Sequence, residues 1–222
     1  YQVAPVDLGS FTNSFRDIYA RNFYGTNVDV AEIYPIRALD GRMPEKGDIV
    51  AFDPENPGTV IVSTQPYQEA IAGVVSTAPG MTLGGPIMSD QKPIALVGRV
   101  PVKVSIENGA INIGDPITSS SLPGVGMKAT RAGRIIGYAL EPFDPCSAPD
   151  AEKDKCASEV GNIMAFVNLN YRGSNLSVSQ EEDGSLAISV MTKDRGLVKL
   201  FALDEQGYLV INKLKAKEIE TE

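Results

Sequence analysis

Two stretches of this 222-residue chain repeat one short pattern. Lys46-Gly47-Asp48-Ile49-Val50 opens the first, which closes with Ile71-Ala72-Gly73-Val74-Val75. Ile113-Gly114-Asp115-Pro116-Ile117 opens the second, which closes with Ile135-Ile136-Gly137-Tyr138-Ala139. Each runs Gly-Asp, then apolar residues, then a polar turn-rich stretch, then apolar-apolar-Gly-apolar. The openers stand 67 residues apart and the closers 64. Such a duplication implies a strand-built module with internal pseudo-symmetry, and it constrains architecture more than chemistry. Gly47, Asp48, Gly73, Gly114, Asp115 and Gly137 are therefore read as turn residues. The aspartates accept hydrogen bonds from nearby backbone N–H groups, and the glycines supply an unusual φ. Matching positions in two repeats favour that role over a pair of acid–base carboxylates.

The remaining punctuation agrees. Glycine (21) and proline (15) fall between short apolar runs, which is the spacing of tight turns. Roughly ten short strands are expected between residues 28 and 170, with Ile94–Gly98 and Val100–Ser105 counted as two separated by Gly98. Asn108-Gly109 has the strongest hairpin signature, because a type I′ turn needs positive φ at both central positions. Gly80-Met81-Thr82-Leu83-Gly84-Gly85 reads as a flexible turn, since it lacks the Lys-Ser/Thr ending of a phosphate loop. Residues 171–222 contain no proline and alternate apolar with polar, as a small meander does. The expected fold is thus all-β: a barrel- or sandwich-like module over 29–170 with two Gly-Asp repeats, an irregular arm over 1–28, and a β-meander over 171–222 that leads to a fibre or tail segment. Little helix is expected, at most one turn between Ser14 and Arg21.

Composition narrows the chemistry. The chain has no histidine, which excludes Ser-His-Asp and Cys-His nucleophile activation and His-based zinc sites. No cofactor or metal site is expected. Asp53-Pro54-Glu55-Asn56 and Glu181-Glu182-Asp183-Gly184 are the best clusters for calcium, and neither has the spacing of an EF-hand loop. A net charge of −8 disfavours nucleic acid as a partner. No apolar run is long enough for a membrane-spanning helix, so no membrane insertion is expected.

Cys146 and Cys156 bracket a polar, loop-like segment. A disulfide there would lower unfolded-state entropy by roughly 2–3 kcal/mol; two free thiols are the other reading. A disulfide implies an oxidising compartment, hence an extracellular, cell-surface or virion location. Aromatic residues concentrate near the N-terminus, at Phe11, Phe15, Tyr19, Phe23 and Tyr24. They read as anchors of an arm docked on a neighbouring subunit, with ordinary core packing and glycan stacking as alternatives.

A family resemblance rests on Asp29–Pro35, Gly47-Asp48-Ile49-Val50, Gly73–Gly80, Ala95–Lys103, Gly114-Asp115-Pro116-Ile117 and Gly137–Glu141. Together these resemble a β module of bacterial and phage surface fibres. They are similar to the self-cleaving intramolecular-chaperone domains of phage appendages and tail spikes, and to trimeric phage head-decoration proteins. The resemblance implies a homotrimeric structural module and does not by itself imply catalysis. The function expected is a non-enzymatic fibre subunit, with a filament of identical subunits as a second structural reading. It also implies a rival reading, an autoproteolytic chaperone cut at a Ser-Asp bond. The pair available, Ser89-Asp90, sits mid-module rather than ahead of it, and is read as a plain hairpin loop.

Overall fold

The computed structural model describes residues 8–211, apart from residues 11, 23, 26, 148–155, 157–158, 174–175 and 193–195. The described residues form fourteen strands and one 3₁₀ turn in two compact units, which divide between Tyr171 and Arg172. The fold is all-β, as the sequence pattern requires.

Unit 1 holds β1 (Asp29–Pro35), β2 (Ile49–Phe52), β3 (Val60–Val62), β4 (Ile71–Val75), β5 (Met81–Leu83) and β6 (Gln91–Ser105). It continues with β7 (Pro116–Ser119), β8 (Gly126–Lys128), β9 (Gly133–Ala139), a 3₁₀ turn at Pro145–Ser147 and β10 (Val160–Arg172). Strand pairing explains the duplication. In the first repeat β2 pairs antiparallel with both β3 and β4; in the second, β7 pairs antiparallel with both β8 and β9. Each three-strand group is closed by its flanking strands. Ile36, just past β1, bridges Val60 of β3 in parallel, while β4 pairs with β6 and β6 with β1. Val104 of β6 bridges Gly126 of β8 in parallel, while β9 pairs with β10 and β10 with β6. The result is two small barrels of the same topology that share β6.

β6 is one 15-residue strand rather than the expected two. Its first half pairs with β1 and its second with β10, and the handover falls at Val97 and Gly98. Gly98 is not a break but a close approach: at φ +123° it lies against the backbone of Val28 and Asp29, where no side chain fits. The shared core contains Ile49, Val74, Val100, Val102, Val104, Ile117, Ile136, Ile163 and Val167. A second cluster, with Val50, Val60, Val75 and Ile94, fills the first barrel. Closing both barrels leaves few open edges among the described strands of unit 1 to template aggregation.

Three local expectations are corrected. Met81–Leu83 is not a flexible turn but β5, paired in parallel with Val30–Glu32 of β1. The Asn108-Gly109 turn does not join two paired strands, because the next strand, β7, pairs with β8 and β9. Nor is it type I′: Gly109 has φ +90° but Asn108 is not among the positive-φ residues, and the Gly109 N–H closes on the Ile106 carbonyl. The described residues between Ser14 and Arg21 hold no helical turn. A segment that short cannot offset the unfavourable first turn without tertiary cover.

Unit 2 is a meander of β11 (Leu176–Gln180), β12 (Leu186–Thr192), β13 (Gly196–Leu203) and β14 (Leu209–Ile211), paired in chain order. Gly184 (φ +84°) and Gly207 (φ +85°) serve its turns. The tail segment expected after this meander lies outside the described residues.

Candidate functional site

The two Gly-Asp turns match bond for bond. Asp48 N–H donates to the Glu45 carbonyl while Asp48 Oδ2 accepts from Glu45 N–H at 2.9 Å. Asp115 N–H donates to the Asn112 carbonyl while Asp115 Oδ2 accepts from Asn112 N–H at 2.7 Å. Gly47 has φ +82° and Gly114 φ +84°. Gly47 N–H donates to the Val75 carbonyl, and Gly114 N–H to that of Ala139. In return, Val75 and Ala139 donate to the carbonyls of Asp48 and Asp115. Each opener is thereby tied to its own closer. Gly73 and Gly137 lie in the closers, with φ +154° and +149°.

The carboxylates differ in what surrounds them. Asp48 is fully buried; its Oδ1 meets Arg42 Nη2 at 2.9 Å and Lys103 Nζ at 2.8 Å. Arg42 also donates to the Pro123 carbonyl, and Ile49 N–H to that of Gly124. Asp48 therefore binds the first repeat to a loop of the second and to the shared strand. Asp115 is less enclosed and meets Lys128 Nζ at 2.7 Å. Burial alone would raise the Asp115 carboxyl, but the Lys128 ammonium and the Asn112 N–H outweigh it and hold the group below the usual range.

Asp53 is saturated with donors. Its oxygens accept from Arg37 Nε (2.6 Å) and Nη2 (3.1 Å), Glu55 N–H (2.9 Å) and Asn56 Nδ2 (2.9 Å). The Arg37 guanidinium is the main reason that this carboxyl sits far below the ordinary carboxylate range. An oxygen set so occupied has little left for a cation. In the other candidate cluster, Glu181 pairs with Lys199 and Asp183 accepts from Ser185. Among the described residues no group of three or more Asp, Glu or Cys side chains is placed to hold a metal ion.

A depressed carboxylate stabilises the fold above its unfolded pKa, and that stabilisation is lost as pH falls through the lower folded value. Asp53 and Asp115 therefore give an acid limb below about pH 4. Arg37→Gln should lower the urea midpoint at pH 7 and make its fall between pH 4 and pH 2 shallower than in the parent. Parallel acid limbs would contradict the pairing.

Sequence reasoning did not single out Tyr67, which joins the repeats. It lies in the β3–β4 connection at φ +55° and packs on Met127, Ala129 and Ile135 of the second barrel. Its hydroxyl oxygen accepts from Thr130 N–H (2.7 Å) and Arg131 N–H (3.1 Å), and the Arg131 guanidinium carbon lies 3.9 Å from the ring centre. Burial pushes the phenol up, but these donors and the nearby cation carry it below the usual tyrosine value. Tyr67→Phe removes the acceptor of the Thr130 and Arg131 N–H groups, which lie on exposed residues and can turn to water. It should reduce unfolding free energy by roughly 0.5–1.5 kcal/mol, read as a lower urea midpoint at unchanged m-value. No motif marks Tyr67, because the partners of its side chain lie sixty or more residues downstream.

Ser89 and Asp90 occupy the centre of a turn closed by Gln91 N–H on the Met88 carbonyl, and the Asp90 carbonyl accepts from Ile36 N–H at 2.8 Å. Neither has a positive φ. Cys146 and Cys156 are joined as a disulfide, Cα to Cα 5.3 Å. Of the arm aromatics, Phe11 and Phe23 lie outside the described residues. Phe15, Tyr19 and Tyr24 are 55%, 95% and 87% exposed, so these three rings are not core within their own chain. No helix among the described residues is long and apolar enough to cross a membrane.

No protein-family model matches the chain. No curated protein matches it either. Among solved structures the chain is similar to the pre-mature bacteriophage phi29 gene product 12, at a TM-score of 0.47 and 16% identity over 70% of this chain. It is also similar to the C-terminal fragment of the same gene product, at a TM-score of 0.41 and 15% identity over 63% of this chain and all of that one. The chain spans about a quarter of the pre-mature gene product's length, 24% of it.

Proposed function

We propose that the chain is a non-catalytic structural module of an extracellular or virion fibre or filament, assembling as a homotrimer or as a run of identical subunits. The carrying observation is the arm. Leu8, Ile18, Tyr19 and Tyr24 present 70–95% of their surface to water on a stretch whose described residues form no strand or helix. Clustered large apolar side chains left in water mark a contact surface. Two further features support the reading. The Gly-Asp carboxylates are committed to turns and ion pairs, and the disulfide fits an oxidising setting outside a cell.

Sedimentation equilibrium of the full chain tests it: a defined multiple of the 23.7 kDa chain, or growth with concentration, is expected. A monomer at every concentration would overturn it. Intact mass addresses the autoproteolytic rival: one undivided species is expected, whereas two fragments meeting between Ser89 and Asp90 would favour self-cleavage.

A further inference from the structure

Asn108-Gly109 is the one Asn-Gly pair in the chain, and every other asparagine is followed by a residue that carries a side chain. The pair sits in the turn that follows β6. Gly109 is exposed, and nothing lies within 4 Å of where its Cβ would be. Asn108 is half-buried. Its Nδ2 donates to the Lys128 carbonyl of β8 at 3.1 Å, and the Gly109 N–H donates to the Ile106 carbonyl at 2.7 Å. Glu107, one residue earlier, accepts from the N–H and the hydroxyl of Ser121. The turn thus pins the end of the shared strand to the second barrel.

We infer that Asn108 is a site of spontaneous modification, where the asparagine converts to aspartate and isoaspartate and unpins the turn from β8. The Gly109 backbone nitrogen loses its proton to hydroxide and attacks Asn108 Cγ. A cyclic imide forms, and the side-chain nitrogen departs as ammonia after taking a proton from water. One water then opens the ring. Attack at the side-chain carbonyl yields aspartate, and attack at the main-chain carbonyl yields isoaspartate. The net change is amide plus water to acid plus ammonia. Glycine leaves the attacking nitrogen unobstructed, and here the space around it is open to solvent. Gly109 belongs to a turn and not to a strand, so ring closure breaks no ladder bond.

Two hydrogen bonds guard the site, because the Gly109 N–H and the Asn108 amide must both come free first. Each net hydrogen bond slows the reaction by about fivefold, so the folded turn should react roughly thirtyfold more slowly than the unfolded chain. The product replaces a donor with a carboxylate. That carboxylate faces the Lys128 carbonyl and sits beside Glu107, while the Lys128 ammonium is committed to Asp115 at 2.7 Å. An acceptor set against an acceptor cannot hold the turn to β8.

The test incubates the full chain in mildly alkaline buffer, folded and unfolded in guanidinium, and maps its peptides over time. Isoaspartate is read by enzymatic methylation, and released ammonia is measured alongside. The peptide that holds Asn108 should gain both acids in both states, with isoaspartate in excess. A folded chain whose Asn108 is intact after on the order of a hundred half-lives of the unfolded reaction overturns the inference. So does aspartate without isoaspartate, which means hydrolysis without the ring. Asn108→Gln closes a ring far more slowly and should lose the signal; isoaspartate that persists in that variant places the reaction elsewhere and overturns the assignment. Asn108→Asp carries the product's carboxylate on an ordinary backbone, and its urea midpoint should fall below the parent's. An equal midpoint would show that the Lys128 bond does not pin the turn, and it overturns the unpinning.

Discussion

Gly137→Ala should destabilise the chain by at least about 3 kcal/mol. Two independent effects add at this position. The φ of +149° lies where L-residues rarely go, and a Cβ would fall on the Phe166 carbonyl oxygen of β10. That oxygen belongs to backbone in the closed barrel, so relief requires β9 and β10 to separate. Gly73 is its counterpart in the first repeat: φ +154°, with a Cβ falling on the Ala95 carbonyl oxygen of β6. Gly73→Ala should have an effect of similar size. Gly58→Ala and Gly41→Ala are the controls. Both positions have φ +80°, yet nothing lies within 4 Å of a Cβ at either. These two should lose only about 1 kcal/mol, the conformational part. Urea midpoints at constant m-value measure all four. A Gly137→Ala variant no less stable than Gly58→Ala would show that the strands do not approach as described.

The repeat was legible in the sequence because its glycines and aspartates are dictated locally. A positive φ and an Asx-type turn need particular residues at particular positions, and Gly47-Asp48 and Gly114-Asp115 supply both. What the repeats share was not legible. β6 serves both barrels, and Gly98, which looks like a separator, is needed where Val28 and Asp29 cross close by. β5 was hidden because three residues between glycines carry no periodicity, and its partner, β1, lies some fifty residues upstream. The Asn108-Gly109 signature was real as a turn and misleading as a hairpin, since a turn does not specify which strands pair beyond it. The arm's aromatics were visible as a cluster. Tyr67 and the Arg42–Asp48–Lys103 cluster were not, because their meaning comes from contacts across the duplication.

The duplication also makes Asp48 a measurable quantity. Asp48→Ala removes the same turn hydrogen bond as Asp115→Ala, so the two variants share that loss, about 1 kcal/mol. They differ in what else goes. Asp48 is fully buried between Arg42 and Lys103, and removing one member of an enclosed ion cluster destabilises by roughly 3–5 kcal/mol when the remaining charge cannot reach water. Here the Arg42 and Lys103 side chains retain 38% and 22% exposure, so part of that loss is recovered by hydration. The expected loss for Asp48→Ala is about 3 kcal/mol, against about 1 kcal/mol for Asp115→Ala, whose partner Lys128 can turn to solvent. Raised salt should narrow the gap only slightly, because buried pairs are screened less than exposed ones. Equal losses in the two variants would mean that Asp48 acts only as a turn residue and that its two cations do not bind the barrels together.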